Sequence, residues 1–361
     1  MRLNWKAPGV LLSLASTLLA GGCSEPREYS NFDFVDPGFG SQVRNADLSD
    51  EEVFARGRAA LAEAGLETLR WGLTPYLIPD ELLAAYSPIA SLVEENLGVP
   101  VEMILGENYA DLEAKLTGGE VDVALISPYS YVRAKAVEDG LKVFASHVAR
   151  GSPSYAAYII VAEDSPVDRL SQLRGEPFAF VDRRSTSGWL FPAARLLEEG
   201  IHPLDDLEAQ FVETHDRVFD AVVEGRVTAG ALYDAALAEG RERQTDGLEV
   251  RVLAKAERAP HDAYVTRAGI PEEVADALGR TLAGISMATR EGRRILGPTL
   301  GINGFIAIGN DHYDVIRRVE ERVFAAGIEA APEEEVEAPV EGEEATGEEA
   351  GEAPVGAPAE E

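Results

Sequence analysis

Three hydroxyl side chains in succession, Ser185, Thr186 and Ser187, stand directly before Gly188, where an apolar run gives way to a helical pattern. The first turn of a helix leaves backbone N–H groups without intrahelical partners, and these groups attract anions. Hydroxyls added to such a turn can bind an oxyanion without a positively charged side chain. A plain helix cap needs a single hydroxyl, so the run of three favours a ligand site, with capping as the alternative.

Alternating strands and helices are predicted to position this turn. Eleven short apolar runs predict strands at residues 68–73, 99–105, 121–126, 142–148, 156–162, 178–181, 209–213, 227–232, 250–253, 263–267 and 305–308. Helical patterns fall at residues 49–64, 81–96, 110–116, 129–138, 188–199, 216–224, 271–289 and 311–325. Strands separated by helices of this length are typical of βαβ units with largely parallel sheets. Because 361 residues exceed the roughly 250 to 300 that one hydrophobic core serves, two sheets are expected.

The charge and the cysteine count exclude several classes of protein. The formal charge is −32, from 64 acidic and 32 basic residues, whereas nucleic acids are bound through clustered positive charge. A single cysteine rules out an internal disulfide and every multi-cysteine metal site. The five histidines fit no familiar metal-ligand spacing, and neither a Rossmann nor a P-loop glycine motif occurs. We therefore expect no nucleic-acid partner, no metal and no cofactor.

The amino-terminal 23 residues have the pattern of an export signal. Arg2 and Lys6 precede an apolar run at residues 10–20, which is too short to span a membrane and has the length of a signal-peptide core. Small residues then lead to Cys23, and this site resembles the lipobox of bacterial lipoproteins, although Ala20 occupies the position usual for leucine. We predict cleavage and lipidation at Cys23, the alternative being a free thiol after ordinary cleavage.

Two further segments lack the periodicity of a folded unit. Residues 24–50 predict a flexible tether. Residues 329–361 contain 13 glutamates and no lysine or arginine. A segment of this composition buries too little apolar surface to offset the entropy lost on ordering, so the acidic tail is predicted to be disordered.

The hydroxyl turn and its surroundings resemble a known family. The run at residues 185–188, Pro192 four residues later and Gly200-Ile201 at the helix end are similar to the signature of the solute-binding proteins of ABC transporters for phosphonate, phosphite and phosphate. Other matching runs follow the family's order: Gly72 with Pro75, 106–110, 119–124, 127–131, 151–155, His215 and 260–262. The resemblance covers residues 69–324.

The resemblance implies a two-lobed α/β fold of the type II periplasmic-binding-protein kind. Two hinge strands join the lobes of such a protein, and one ligand is held between them. Each lobe is expected to be a mostly parallel sheet flanked by helices. Residues 51–160 and 263–328 would form lobe 1, and residues 161–262 would form lobe 2.

The resemblance also implies which groups hold the phosphoryl oxygens of the ligand. These are the hydroxyls of Ser185, Thr186 and Ser187, the amides of Ser187 and Gly188, and the side chains of Tyr109, Tyr155 and His215. All are hydrogen-bond donors, so the predicted site needs no arginine clamp.

Two acidic residues decide whether the ligand carries an amine. Asp262 matches the family's acidic residue that receives the ammonium of an aminoalkylphosphonate. Asp234 is the candidate for a second acid there, but the sequence leaves its register open. A smaller ligand without an amine, such as phosphite, methylphosphonate or phosphate, therefore stays an alternative.

The implied function is capture of a phosphorus oxyanion by the extracytoplasmic component of an ABC importer, and not an enzymatic reaction. The expected protein is a monomer, anchored at the periplasmic membrane or cell surface through Cys23, with a membrane permease as partner. A ligand sensor of the same fold that presents to a membrane histidine kinase is the alternative. A hydrolase triad of Ser187, His215 and Asp262 is disfavoured, because this order differs from that of α/β-hydrolases and the turn has no G-x-S-x-G elbow.

Overall fold

The computed structural model of the chain describes residues 45, 47–244, 249–297 and 301–329. Cys23, the export signal and the acidic tail after residue 329 lie outside this part, as does most of the tether. The strands are β1 (Leu69–Leu73), β2 (Val101–Leu105), β3 (Val123–Ile126), β4 (Lys142–Ala149), β5 (Ser154–Ala162), β6 (Pro177–Phe180), β7 (Glu208–Phe211), β8 (Ala229–Tyr233), β9 (Val250–Pro260), β10 (Ala263–Thr266) and β11 (Ile302–Ala307). The helices are α1 (Asp50–Glu63), α2 (Pro79–Leu97), α3 (Tyr109–Thr117), α4 (Pro128–Val137), α5 (Phe191–Glu198), α6 (His215–Val223), α7 (Asp234–Arg243), α8 (Glu272–Ala283), α9 (Arg290–Leu296) and α10 (Asp314–Ala325).

The described strands form two sheets, one in each lobe. The sheet of lobe 1 has the order β11-β4-β10-β3-β1-β2, and that of lobe 2 has the order β7-β6-β8-β5-β9. Strand β1 runs parallel to β2 and β3, and β6 runs parallel to β7 and β8. These pairs belong to βαβ units, as the alternation in the sequence predicts.

Both sheets are mixed, and the prediction of mostly parallel sheets is wrong. Strand β5 arrives from lobe 1 and inserts antiparallel between β8 and β9. Strand β10 arrives from lobe 2 and inserts antiparallel between β3 and β4. Two consecutive strands can pair in parallel only if a crossover connection, usually a helix, lies between them. Neither β5 nor β10 is preceded by such a helix. The two strands that join the lobes therefore add antiparallel pairs to both sheets.

The chain crosses between the lobes twice. It leaves lobe 1 after β4 and enters lobe 2 at β5, so the boundary expected at residue 160 moves to residues 150–153. An apolar run such as the one that includes β5 has the same sequence pattern whichever sheet it joins. The sequence therefore could not predict which strands pair with β5. The return lies at His261 and Asp262, between β9 and β10.

The last helix of lobe 1 also contacts lobe 2. Ile316, Val319 and Val323 of α10 are buried in one apolar cluster with Phe191 and Leu196 of α5. This contact joins the lobes on the side of α5. Within the part of the chain described here, no helix is both long enough and apolar enough to span a membrane.

Candidate functional site

A cavity of about 320 Å³ lies between the two lobes. Eight of the nine predicted ligand-binding residues line it: Tyr109, Tyr155, Ser185, Thr186, Ser187, His215, Asp234 and Asp262. A second groove of about 590 Å³, between α8 and strands β4 and β11, contains none of them. The structure thus brings together residues that lie up to 153 positions apart in the sequence.

The hydroxyl turn begins a single π-helical turn, Thr186–Leu190, that leads into α5. Ser185 Oγ accepts a hydrogen bond from the Gly188 N–H at 3.0 Å. This is the helix cap that was the alternative reading of the run, and it occupies the Gly188 amide that was expected to hold the ligand. Because this N–H has an acceptor in the free protein, the role of the Gly188 amide as a donor to the ligand stays a prediction.

Gly188 has a steric role. A Cβ at this position would lie 2.4 Å from Val181 Cβ and Cγ2 and 2.9 Å from Ser185 Oγ. The Gly188 carbonyl also accepts from Val181 N at 3.2 Å. The absence of a side chain therefore allows the turn to pack against the end of the strand that precedes it.

The other two hydroxyls of the turn have different partners. Thr186 Oγ1 accepts from the Tyr129 N–H at 2.9 Å, and Tyr129 lies at the start of α4 in lobe 1. The Tyr155 hydroxyl of β5 lies near Ser187 and Thr186, and both hydroxyls oppose the rise in its pKa that burial causes. Ser187 is therefore the hydroxyl of the three that has neither a capping nor an interlobe partner.

Two tyrosine hydroxyls reach the turn from different elements. Asn108 caps α3 by accepting from Asp111 N at 2.8 Å, which sets Tyr109 at the first position of the helix. Burial, and then the negative charge of Asp182, raises the pKa of Tyr109 well above its ordinary value. Burial, and then Asp262, does the same to the pKa of Tyr155. Both hydroxyls consequently keep their protons and can donate to an anion.

His215 is the first residue of α6 and is buried at the cavity wall. Burial lowers its pKa to about 3, so the ring is neutral. Its Nδ1 atom has no hydrogen-bond partner among the described residues. The ring can act as a neutral hydrogen-bonding group toward a ligand, but it supplies no positive charge.

Asp262 lies where the chain returns from lobe 2 to lobe 1. Its side chain lines the cavity, and burial raises its pKa to about 7. No hydrogen bond or ion pair to this carboxyl occurs within the described residues, whereas the buried acids Glu113 and Asp122 are paired with arginines. An unpaired carboxyl facing a cavity is the arrangement that a cationic ligand group would complete.

Asp234 also reaches the cavity, which resolves the register that the sequence left open. It begins α7 directly after β8, and its Oδ2 accepts from the Ala156 N–H of β5 at 3.1 Å. One oxygen is therefore committed to the backbone of a strand. Asp234 has less capacity left for a ligand than Asp262 has.

A family model described as "ABC transporter, phosphonate, periplasmic substrate-binding protein" matches residues 71–313. The chain belongs to this family. The prediction from the hydroxyl turn is thereby confirmed at the level of the family, and so is the expectation of a binding protein instead of an enzyme. The sensor alternative receives no support from the family.

Two curated proteins of the phosphonate-binding family are related to this chain. The "Phosphate-import protein PhnD" of Mycolicibacterium smegmatis is 29% identical over 187 residues, which cover 49% of this chain and 58% of that protein. The "Phosphonates-binding periplasmic protein" of Escherichia coli is 27% identical over 225 residues, covering 61% of this chain and 66% of that protein. The chain thus matches somewhat less than two thirds of the length of these relatives.

Solved structures of the phosphonate-binding family share the fold. PhnD1 from Prochlorococcus marinus, solved in complex with methylphosphonate, superposes with a TM-score of 0.65 at 18% identity, covering 72% of this chain and 98% of that one. The prediction of a type II two-lobed fold is therefore confirmed, with mixed sheets in place of mostly parallel ones.

Several residues at the site escaped the sequence analysis. A row of rings lies along the cavity: His147 and His261 are 4.5 Å apart between ring centroids, and His261 stacks on Tyr155 at 5.1 Å. The row continues from Tyr155 to Tyr233 at 6.0 Å and from Tyr233 to His215 at 4.7 Å. Burial lowers the pKa of His261 to about 4 and that of His147 well below its ordinary value. The floor of the cavity is therefore aromatic and neutral.

Two arginines also line the cavity. Arg258 donates to the hydroxyls of Ser154 and Ser152 at 3.0 and 3.1 Å, and Arg150 pairs with Glu239 at 3.4 Å. Both arginines are partly or fully exposed, so solvent reduces the force that they exert on a ligand. The sequence did not predict these two arginines as cavity residues, because isolated arginines on a protein surface are common.

Proposed function

We propose that this chain is the extracytoplasmic solute-binding component of an ABC importer and captures a phosphonate or related phosphorus oxyanion between its lobes. The observation that carries the proposal is the meeting of Ser187, Tyr109, Tyr155 and His215 around one cavity, all as neutral hydrogen-bonding groups. The names of the relatives support it, since one imports phosphate and another binds phosphonates. The structure of PhnD1 with methylphosphonate supports it further.

Neutral donors are sufficient for useful affinity. A hydrogen bond to an ionised phosphoryl oxygen contributes about 1.5 to 3 kcal/mol, so four such bonds supply roughly 6 to 12 kcal/mol before ordering costs. Micromolar affinity requires only about 8 kcal/mol. A positively charged clamp is therefore not needed to hold the anion, which agrees with the lack of charged donors at the turn.

The unpaired carboxyl of Asp262 favours a ligand that also carries an amine. An ammonium group bound there would offset the energetic cost that raises the pKa of this carboxyl. We propose an aminoalkylphosphonate such as 2-aminoethylphosphonate as the preferred ligand. Methylphosphonate, phosphite and phosphate would share the phosphoryl site without using Asp262.

Thermal unfolding of the purified protein with each of these four compounds tests the proposal. A ligand present at 100 times its dissociation constant adds about 2.7 kcal/mol of stability, which raises the melting temperature measurably. We expect the largest shift with 2-aminoethylphosphonate. If none of the four compounds shifts the melting temperature, a phosphorus oxyanion is not the ligand.

Alanine at Ser187 and alanine at Thr186 should have different consequences. Ser187→Ala removes a donor to the ligand and should weaken binding about 10- to 150-fold, with little change in the stability of the free protein. Thr186→Ala leaves the Tyr129 N–H without its acceptor, which costs about 1 to 3 kcal/mol of stability. Titration calorimetry and urea unfolding of both variants measure the two effects. Parent-like affinity of Ser187→Ala would remove the turn from the ligand site.

Export and anchoring complete the proposal. We propose that Cys23 is lipidated, that the mature monomer is held at the membrane, and that it delivers its ligand to a permease. The family's periplasmic description supports a location outside the cytoplasm. Mass spectrometry of the protein from the membrane fraction should find a diacylglyceryl modification on an amino-terminal Cys23. An unmodified terminus further along the chain would show that the anchor is absent.

A further inference from the structure

A buried ion pair joins the two lobes next to the hydroxyl turn. Arg184, the residue before the turn in lobe 2, donates through Nε to Glu113 Oε2 of α3 in lobe 1 at 2.8 Å. The two side chains are only 10% and 11% exposed. Most other ion pairs of the described residues have at least one partner at the surface, so this pair stands apart by its burial.

The backbone around Arg184 is held from lobe 1 as well. Ser127 Oγ donates to the Arg184 carbonyl at 2.8 Å, and the Tyr129 N–H donates to Thr186 Oγ1 at 2.9 Å. Both donors lie at the start of α4. Lobe 1 therefore holds the hydroxyl turn immediately before and immediately after Ser185.

Neither member of the pair lines the ligand cavity. Burial raises the pKa of Glu113 to about 7, while the charges of Arg184 and Arg133 oppose this rise and Asp182 adds to it. A buried ion pair adds little to folding stability compared with apolar residues, but breaking it on one side is costly. When the lobes separate, water can solvate both groups, so the pair acts on the arrangement of the lobes and not on the folding of either one.

We propose that the Glu113–Arg184 ion pair positions the hydroxyl turn for the ligand by holding the lobes together, and that it sets the affinity without contacting the ligand. The inference rests on the proposed function, because the turn must be the ligand site. Affinity falls in proportion to the fraction of molecules in the binding-competent arrangement. An interaction that forms on closure acts mainly on the rate of ligand release.

Arg184→Met and Glu113→Gln test this role with 2-aminoethylphosphonate and methylphosphonate as probes. We expect affinity to fall about 10- to 100-fold in Arg184→Met, the consequence of leaving one buried charge unpaired. The loss should appear as faster dissociation with an unchanged association rate in stopped-flow measurements. Glu113→Gln retains a hydrogen-bond acceptor for Arg184 and should show a smaller loss of the same kind. The double variant should lose no more than Arg184→Met alone, because both changes break one interaction.

A readout without ligand separates this inference from the proposed function. The Tyr129 amide reports the contact between the lobes, so its hydrogen exchange in the unliganded protein should be faster in both variants. Arg70→Met is the matched control, since it breaks an ion pair between Arg70 and Asp122 within lobe 1. It should lower stability without changing affinity or Tyr129 exchange.

Two outcomes would overturn the positioning role. One is unchanged exchange at Tyr129 in folded Arg184→Met and Glu113→Gln. The other is dissociation rates within about twofold of the parent in both variants. If the parent binds none of the probes, the proposed function fails, while the exchange measurement still decides whether the pair holds the lobes together.

Discussion

Gly188→Ala is expected to abolish ligand binding at concentrations that saturate the parent protein. The added Cβ would lie 2.4 Å from Val181 Cβ and 2.9 Å from Ser185 Oγ, both of which are fixed by backbone hydrogen bonds of the same turn. Relief of this overlap must displace the turn from the end of its strand. Overpacking of a close-packed interior costs about 1 to 3 kcal/mol, so we also expect a lower free energy of unfolding. Titration calorimetry and urea unfolding of the variant measure both effects.

Gly279→Ala is the matched control for this substitution. Gly279 lies in α8 of lobe 1, and the nearest heavy atom to a Cβ there is a ring carbon of Phe144 at 3.8 Å. Alanine is favoured over glycine within a helix by about 1 kcal/mol. The control should be as stable as the parent or more so and should bind normally. Normal binding by Gly188→Ala as well would mean that the position of the turn does not matter to the ligand.

Local chemistry explains why much of the fold could be predicted from the sequence. Each of the eleven strands in the described residues overlaps a predicted apolar run. Strands β5 and β8 are examples whose β-branched and small apolar residues are buried on both faces. The hydroxyl turn could be recognised because capping and anion binding depend on neighbouring residues. The parallel βαβ units could be predicted for the same reason, because each unit is formed by neighbouring segments of the chain.

The missed elements lacked such local patterns. Helix α7 contains alanine, glycine and charged residues with little apolar periodicity, and it forms directly at the end of β8. The predicted helix at residues 271–289 is in fact α8, which ends at Ala283, followed by the separate helix α9. The insertion of β5 and β10 into the sheets depends on strand partners at least 70 residues away, and a single sequence has no periodic pattern that identifies such partners.

The residues that donate to the ligand could be predicted from the sequence, but the contacts that hold the site together could not. Tyr109, Tyr155 and His215 were found through a family resemblance, and the structure brings them to one cavity. The ring of His147 in β4 contacts the ring of His261, which lies in the connection between β9 and β10. The pairing of Glu113 with Arg184 joins residues 71 positions apart. Such contacts arise from tertiary packing alone, so no pattern in the sequence predicts them.

Asp262→Asn is expected to discriminate between ligands. Loss of the carboxylate removes the partner of a ligand ammonium, so affinity for 2-aminoethylphosphonate should fall about 10- to 150-fold. Methylphosphonate has no ammonium and should bind within about threefold of the parent affinity. Titration calorimetry with both compounds measures the difference. Equal losses for the two ligands would contradict a role for Asp262 in amine recognition.

The same variant has a pH-dependent effect on the free protein. Burial raises the pKa of Asp262 from an ordinary value of 3.8 to about 7, so the folded state holds this proton more tightly than the unfolded state does. The carboxyl therefore lowers the free energy of unfolding as pH rises from about 4 to about 7, and the cost is constant above that range. At about 1.36 kcal/mol per unit of pKa, Asp262→Asn should stabilise the free protein by up to about 4 kcal/mol at pH 8 and very little at pH 4.

Urea unfolding of the parent and the variant at both pH values checks the sign. Asp234→Asn serves as the comparison, because its remaining amide oxygen can still accept from the Ala156 N–H. If Asp262 receives the ammonium, Asp234→Asn should weaken 2-aminoethylphosphonate binding much less than Asp262→Asn does. The reverse order would move the amine site to Asp234 and leave Asp262 as a neutral, protonated donor to the phosphonate. A variant at Asp262 no more stable than the parent at pH 8 would show that water reaches this carboxyl freely.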